Sequence, residues 1–255
     1  MDDHILITGA GSGIGRAVAI RLAGGGARLS LLARGVERLE ETAIRCREQG
    51  AGSVQVLGCD IRDRGQVEGV FEEAVGRYGP LRALVANSGI GGANEPGGED
   101  RWSEVIATNL DGTYWCLRAA QAHLVSGPEP RHLVVMSSVL ARFGVPGYTA
   151  YCASKTGLLG LVRALALELA ADNVQVNALC PGWVDTDMAR EGIDGMAEGM
   201  GISHQEAYAE AMSAVPLGRM SRPEEIAGVV AWLLSADAVG VTGQGIDVNG
   251  GSFMI

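Results

Sequence analysis

Residues 4–15, HILITGAGSGIG, restrict the possible folds more than any other stretch, because a near-continuous apolar strand runs into a glycine-rich turn and out into a helix reaching Ala23. A strand with no polar alternation is covered on both faces, the condition of a parallel sheet sandwiched between helices. The turn gathers Gly9, Ser12, Gly13, Ile14 and Gly15. Its free amides, backed by the positive end of the helix that follows, suit a pyrophosphate.

The alternation continues through the chain. Strand 27–33, helix 37–49 and strand 54–58 complete a βαβαβ half. Helix 64–78, strand 81–86, a helix carrying Asn109, an apolar strand ending near Ser138, helix 149–171, strand 174–179, helix 223–235 and strand 245–248 follow. This order predicts an α/β fold: one doubly wound, Rossmann-like parallel sheet with helices on both faces, spanning 1–255 as a single domain. A chain of 255 residues buries roughly 70–75% of its unfolded surface and needs no staples. The five cysteines are scattered and never paired as C-x-x-C, and the four histidines are equally dispersed, so neither disulfides nor a metal site is expected. A net charge of −10 argues against nucleic acid as a partner. No run of about 18 apolar residues points to a membrane, and the start MDDH lacks the basic region of a secretory leader, which reads as cytoplasmic.

The chemistry concentrates in residues 134–155, VVMSSVLARFGVPGYTAYCASK. Ser138 lies near the end of a strand, and Tyr151 and Lys155 are four residues apart on one face of a helix. A phenol titrates near pH ~10, and a neighbouring cation is expected to lower that value and make Tyr151 a general acid or base toward an alcohol or ketone. Ser138 would hold the same oxygen. Taken alone, Tyr-x-x-x-Lys also describes an ordinary amphipathic helix start.

With the turn TGAGSGIG, which has the T-G-x-x-x-G-x-G spacing, and with Asn109 in ATNLDGTY, these residues resemble the short-chain dehydrogenase/reductase family over nearly the whole chain. The resemblance implies a catalytic tetrad of Asn109, Ser138, Tyr151 and Lys155, with Asn109 holding a relay water. A buried asparagine bonding only backbone is the plainer alternative. It also implies cofactor contacts from Asp60 and Ile61 at the adenine, though an aspartate there could equally cap the next helix. Asn87 and Gly89 would contribute too; Ser88 departs from the family's Asn-Ala-Gly. Further contacts come from Pro181, Gly182, Val184 and Thr186 at the nicotinamide, and from Tyr151 and Lys155 at its ribose. At the end of the second strand, where NAD-binding folds carry an acid, stand Ala33 and Arg34. An arginine there pairs with a 2′-phosphate, so NADP(H) is expected ahead of NAD(H).

The expected activity is hydride transfer between NADP(H) and a ketone or secondary alcohol. A small, free, fairly apolar substrate is favoured, because the chain's negative charge disfavours an acidic acyl carrier. The alternatives are a 3-oxoacyl or polyketide ketoreductase acting on a carrier-bound chain, an NAD-dependent alcohol dehydrogenase, and an inactive NADP-binding module. Residues 187–216, rich in methionine, read as a helical lid or as simple packing. The apolar girth of helix 149–171 predicts a homotetramer or homodimer.

Overall fold

The structure is a computed structural model, and it describes residues 3–94, 96–97 and 100–254. Seven parallel strands form one sheet in the order β3-β2-β1-β4-β5-β6-β7. They are β1 (His4–Thr8), β2 (Arg28–Ala33), β3 (Ser53–Gly58), β4 (Ala83–Ala86), β5 (Arg131–Met136), β6 (Val174–Pro181) and β7 (Gly245–Val248). The helices are α1 (Gly13–Ala23), α2 (Val36–Glu48), α3 (Arg64–Tyr78), α4 (Trp102–Ile106), α5 (Gly112–Ala122), α6 (Thr149–Leu169), α7 (Asp187–Met200), α8 (His204–Ser213) and α9 (Pro223–Leu233). The predicted single-domain doubly wound fold is present, with element ends shifted by one or two residues. No described helix is long and apolar enough to cross a membrane.

Side chains leave a strand alternately to either face, and the two cores follow that alternation. Leu6 joins Phe71 of α3, Leu117 of α5 and Leu158 of α6 on one face. Ile5 and Ile7 join Val18 of α1, Leu39 of α2 and Ile226 of α9 on the other. A third, smaller core lies within residues 187–220, where Ile193, Ala207, Met212 and Met220 pack with Trp183, Met196 and Ile202. The predicted helical region 187–216 is thus a pair of helices, α7 and α8, broken at Gly201 in the left-handed region (φ 65°) and restarted by a capping box between Ser203 and Glu206.

Polar residues lie buried along the opposite, amino edge of the sheet. His4 bonds the Gly79 carbonyl and the Ser30 hydroxyl, both at 2.7 Å. His132 is the register partner of Gln175 on β6, and its Nδ1 has no hydrogen-bond partner among the described residues. Burial, reinforced by the Arg82 guanidinium, pushes the His132 imidazole down to about 4.

An imidazole whose folded pKa lies below its ordinary 6.5 favours the native state above pH 6.5. That advantage is lost as pH falls from 6.5 toward 4, and it amounts to roughly 3 kcal/mol. Urea unfolding at pH 7.5 and 4.5 should therefore show a smaller acid-induced loss in His132→Leu than in the wild type. Equal losses would place the acid sensitivity elsewhere.

Candidate active site

The strand order reverses direction between β1 and β4, and open parallel sheets bind ligands at the carboxyl end of such a switch. The glycine turn follows β1 there. Gly9 (φ 65°) and Gly13 (φ 51°) adopt backbone that side chains resist. Asn87, just past β4, fastens the turn: its amide donates to the carbonyls of Thr8 and Gly9, both at 3.2 Å. Thr8 Oγ1 accepts the N–H groups of Asn87 and Ser88. Asn87 thus holds the turn through its side chain and does not offer that amide to a ligand.

Helix α1 leaves its first amides available. Ser12 occupies the cap position without capping, and the first turn carries no acid. A Cβ on Gly13 would come within 3.0 Å of the Thr186 methyl, so the turn closes against the start of α7. This cradle fits the pyrophosphate of a dinucleotide, since uncapped amides and a side-chain-free wall are what such an anion requires.

Helix α6 carries Tyr151 and Lys155 over the end of β5. Lys155 is 4% exposed; its Nζ donates to the Met136 carbonyl at 2.9 Å and lies 5.6 Å from the Tyr151 ring centre. The Ser137 hydroxyl locks the backbone by donating to the Lys155 carbonyl at 2.9 Å. Ser138 accepts from Leu140 N–H, and its hydroxyl lies near enough to the Tyr151 phenol to favour the phenolate. Burial pushes the Lys155 ammonium down to about 8.

Here the expected phenol shift is corrected. Burial pushes Tyr151 upward, opposed only by the Ser138 hydroxyl, because the lysine is directed to a carbonyl and its own charge is disfavoured by the same burial. The phenol keeps its proton at neutral pH.

Asn109 lies in a π-helical segment, Ala107–Asp111, between α4 and α5. π turns are uncommon and recur at functional sites. The Asn109 side chain is wholly engaged. Its Oδ1 accepts from Ile90 N–H at 2.8 Å, and its Nδ2 donates to the Ile90 carbonyl and to Ser154 Oγ. Gly89 fits between Asn109 and Lys155, where a Cβ would meet Oδ1 at 3.2 Å and Nζ at 3.3 Å.

At the adenosine end, Arg34 is exposed. Asp60 is held by a two-pronged contact from Arg62, with Nη2 to Oδ2 at 2.5 Å, and its carboxyl is pulled below the usual range by that hydrogen bond. Asp60 does not cap α3; Asp63 does, accepting from Gln66 N–H. Ile61 is buried against Gly112. Ile14 is half-buried beside the core containing α1.

On the far side, β6 ends at Pro181. Gly182 lies so close to Asn249 that a Cβ would meet its backbone at 3.0 Å, and buried Val184 pairs with Ser221. Thr186 caps α7. The site therefore brings together the predicted residues from β1, β4, β5, α6 and β6. Sequence reasoning missed Ser137; Met188 of α7, one of the methionines in the region read as a lid, has its thioether over Gly91. Sequence reasoning also missed Arg38, whose stem packs on Gly11 and whose guanidinium points at Asp187, 3.8 Å away. Only the serine doublet in MSS could have signalled either of the missed residues.

A family model described as enoyl-(acyl carrier protein) reductase matches residues 9–252. A protein of Streptomyces violaceoruber named granaticin polyketide synthase putative ketoacyl reductase 1 is 38% identical over 96% of this chain and 91% of its own length. The 3-oxoacyl-[acyl-carrier-protein] reductase FabG of Staphylococcus aureus is 33% identical over 100% of this chain and 99% of its own. Among solved structures, a substituted actinorhodin polyketide ketoreductase with NADPH superposes with a TM-score of 0.91 at 34% identity, covering 98% of this chain and 97% of that one. Levodione reductase superposes with a TM-score of 0.89 at 31% identity, over 98% and 97%.

The glycine contacts separate a built turn from ordinary helix. A methyl on Gly15 would run into the Gly9 carbonyl, whereas Gly69 in α3 has nothing within 4 Å of such a methyl. Gly15→Ala should lower the free energy of unfolding by about 1–3 kcal/mol, and Gly69→Ala should raise it by roughly 0.5–1 kcal/mol. Urea midpoints of the two variants check both signs.

Proposed function

Because the chain belongs to the short-chain dehydrogenase/reductase family, we propose that it is an NADP(H)-dependent ketoreductase in which Tyr151 is the proton donor. The observation that carries this reading is the convergence of Ser138, protonated Tyr151 and buried Lys155 at one mouth of the sheet. The bound nicotinamide supplies the hydride for the carbonyl carbon. Ser138 and the Tyr151 phenol hold the carbonyl oxygen, and the phenol gives up its proton as charge develops there. Lys155 favours the resulting phenolate and offers its ammonium to the cofactor ribose. Asn109, its side chain committed to Ile90, supports proton resupply by fixing the loop that carries Gly89. A proton delivered to an oxygen suits a C=O substrate better than the C=C bond of an enoyl chain.

The turn Gly9 to Gly15, Asp60, Ile61, Asn87, Gly89, Pro181, Gly182, Val184 and Thr186 would frame the cofactor. Arg34 would take the 2′-phosphate, with no carboxylate at Ala33 to repel it and with Asp60 already engaged by Arg62. The actinorhodin ketoreductase, solved with NADPH, supports the same choice. Helices α7 and α8 serve as the substrate lid.

For the substrate, the −10 charge favours a free apolar ketone, while the likeness to polyketide and 3-oxoacyl reductases favours a 3-oxoacyl chain on a carrier. Assaying NADPH oxidation with a simple cyclic ketone, with acetoacetyl-N-acetylcysteamine and with an acyl-carrier thioester separates the two. The chain assembles as a homodimer or homotetramer through the outer face of α6, where Leu167 is 84% exposed. A monomer in light scattering at micromolar concentration rules this out.

Tyr151→Phe should lower kcat at least about 100-fold with NADPH binding nearly unchanged; activity above a tenth of wild type would refute the donor role. Arg34→Ala should weaken NADPH binding roughly ten- to a hundredfold and leave NADH almost untouched. A wild-type kcat/KM higher with NADH than with NADPH would overturn the assignment of Arg34.

A further inference from the structure

Helix α6 starts without a cap of its own. Tyr148 occupies the cap position and makes no side-chain hydrogen bond, yet the first amides of a helix need acceptors. The acceptor comes from the loop after β4. Asn94, only 7% exposed, accepts at Oδ1 from the Ala150 N–H at 2.9 Å and from the Thr149 hydroxyl at 3.1 Å. Its Nδ2 lies 2.9 Å from Thr149 Oγ1, and its main-chain N–H donates to the Gly147 carbonyl at 2.8 Å.

The same amide reaches a second helix. Asn94 Nδ2 donates to Asp100 Oδ1 at 3.1 Å, and that oxygen accepts the N–H of Trp102, the first residue of α4. Helix α4 leads straight into the π segment carrying Asn109.

We propose that Asn94 is a positioning residue for the reaction: it caps α6 from outside that helix and, through Asp100, ties the start of α4 to it, fixing Tyr151 and Lys155 relative to Asn109. The inference rests on the carbonyl-reductase reading above. Tyr151 is the third residue of α6, within the turn that frays when the amides lose their acceptor. Fraying there carries the phenol away from Ser138 while leaving Lys155, a turn deeper and held by Met136, in place. Loss of the cap therefore lowers kcat more than it weakens cofactor binding.

Three variants test it: Asn94→Leu, Asn94→Asp, and Asn94→Asp combined with Asp100→Asn. Each is assayed for kcat with NADPH and acetoacetyl-N-acetylcysteamine, for NADPH affinity by fluorescence, and for hydrogen exchange in residues 149–152. Asn94→Leu should lower kcat about tenfold or more, keep the NADPH dissociation constant within about threefold, and speed exchange in 149–152. Asn94→Asp keeps the acceptor for Ala150 but sets two carboxylates against each other. The exchanged pair removes that repulsion and restores the hydrogen bond between residues 94 and 100 with the donor now on residue 100, at the expense of the acceptor for the Trp102 N–H, so kcat and exchange should return most of the way, to within about threefold of wild type. A kcat within twofold of wild type for Asn94→Leu, or an exchanged pair no better than Asn94→Asp alone, overturns the proposal. Should Asn94→Leu not fold, the comparison of Asn94→Asp with the exchanged pair decides by itself. If the wild type reduces no carbonyl compound while exchange follows the stated order, the functional reading falls and the clamp stands; unchanged exchange in 149–152 removes the clamp whatever the activity.

Discussion

A parallel strand covered by helices on both faces can place polar groups without cost only at its two ends. That constraint sorts this chain. At the carboxyl edge lie Ser137, Ser138, Asn87 and the glycine turn; His4 and His132 lie toward the amino ends of their strands, with Ser30 and Gln55 paired further in; the other sheet positions are mostly apolar. The latter polar groups mostly satisfy one another, as in the chain from Gly79 through His4 and Ser30 to Gln55. At the carboxyl edge Asn87 and Ser137 are likewise committed to protein partners, while the first amides of α1 carry no side-chain cap.

The sheet supplies position, and burial supplies the electrostatics. Lys155 is a cation enclosed against a main-chain carbonyl, with no carboxylate bonded to it among the described residues, so its charge is held at a disadvantage and its pKa falls to about 8. The same enclosure raises the Tyr151 phenol. The two shifts reinforce each other: both favour the neutral pair, and a protonated phenol next to an oxygen acceptor is a donor. Any anion forming in the crevice would reverse the balance, because it would favour the ammonium and the departure of the phenol proton together.

Much of this was legible because it is local. The turn TGAGSGIG and the i, i+4 relation of Tyr151 and Lys155 are encoded within a few residues, and backbone geometry alone places them. Ser138, at the end of an apolar strand, follows from the strand's length. What escaped depends on pairing across the fold. The Asn87 amide reaches Gly9 over 78 positions, and Asn94 reaches α6 over more than 50. The alternative of Asp60 as the cap of the next helix, left open in the sequence, falls away because the loop runs on to Asp63, which caps α3, while Asp60 is engaged by Arg62. The direction of the Tyr151 shift escaped for a different reason: spacing places a lysine beside a phenol, but only the fold shows that Nζ is directed to Met136.

The α7–α8 pair shows how a covering element can be firm within and loosely held without. Its side chains form a core of their own around Ile193 and Met212, so the pair keeps its shape independently of the sheet. Its attachment to the cofactor side is narrow: the Thr186 methyl against Gly13, Met188 over Gly91, and an ion pair between Arg38 and Asp187 at 3.8 Å whose partners are both mostly exposed. An exposed pair of that kind contributes at most about 1 kcal/mol. Rigid interior packing and weak outer contacts together mean that a displacement of the pair as one ordered body, as the proposed lid role requires, would break few interactions. The Met188 thioether adapts to irregular apolar shapes, so a lid built on this pair would tolerate variation in what it covers.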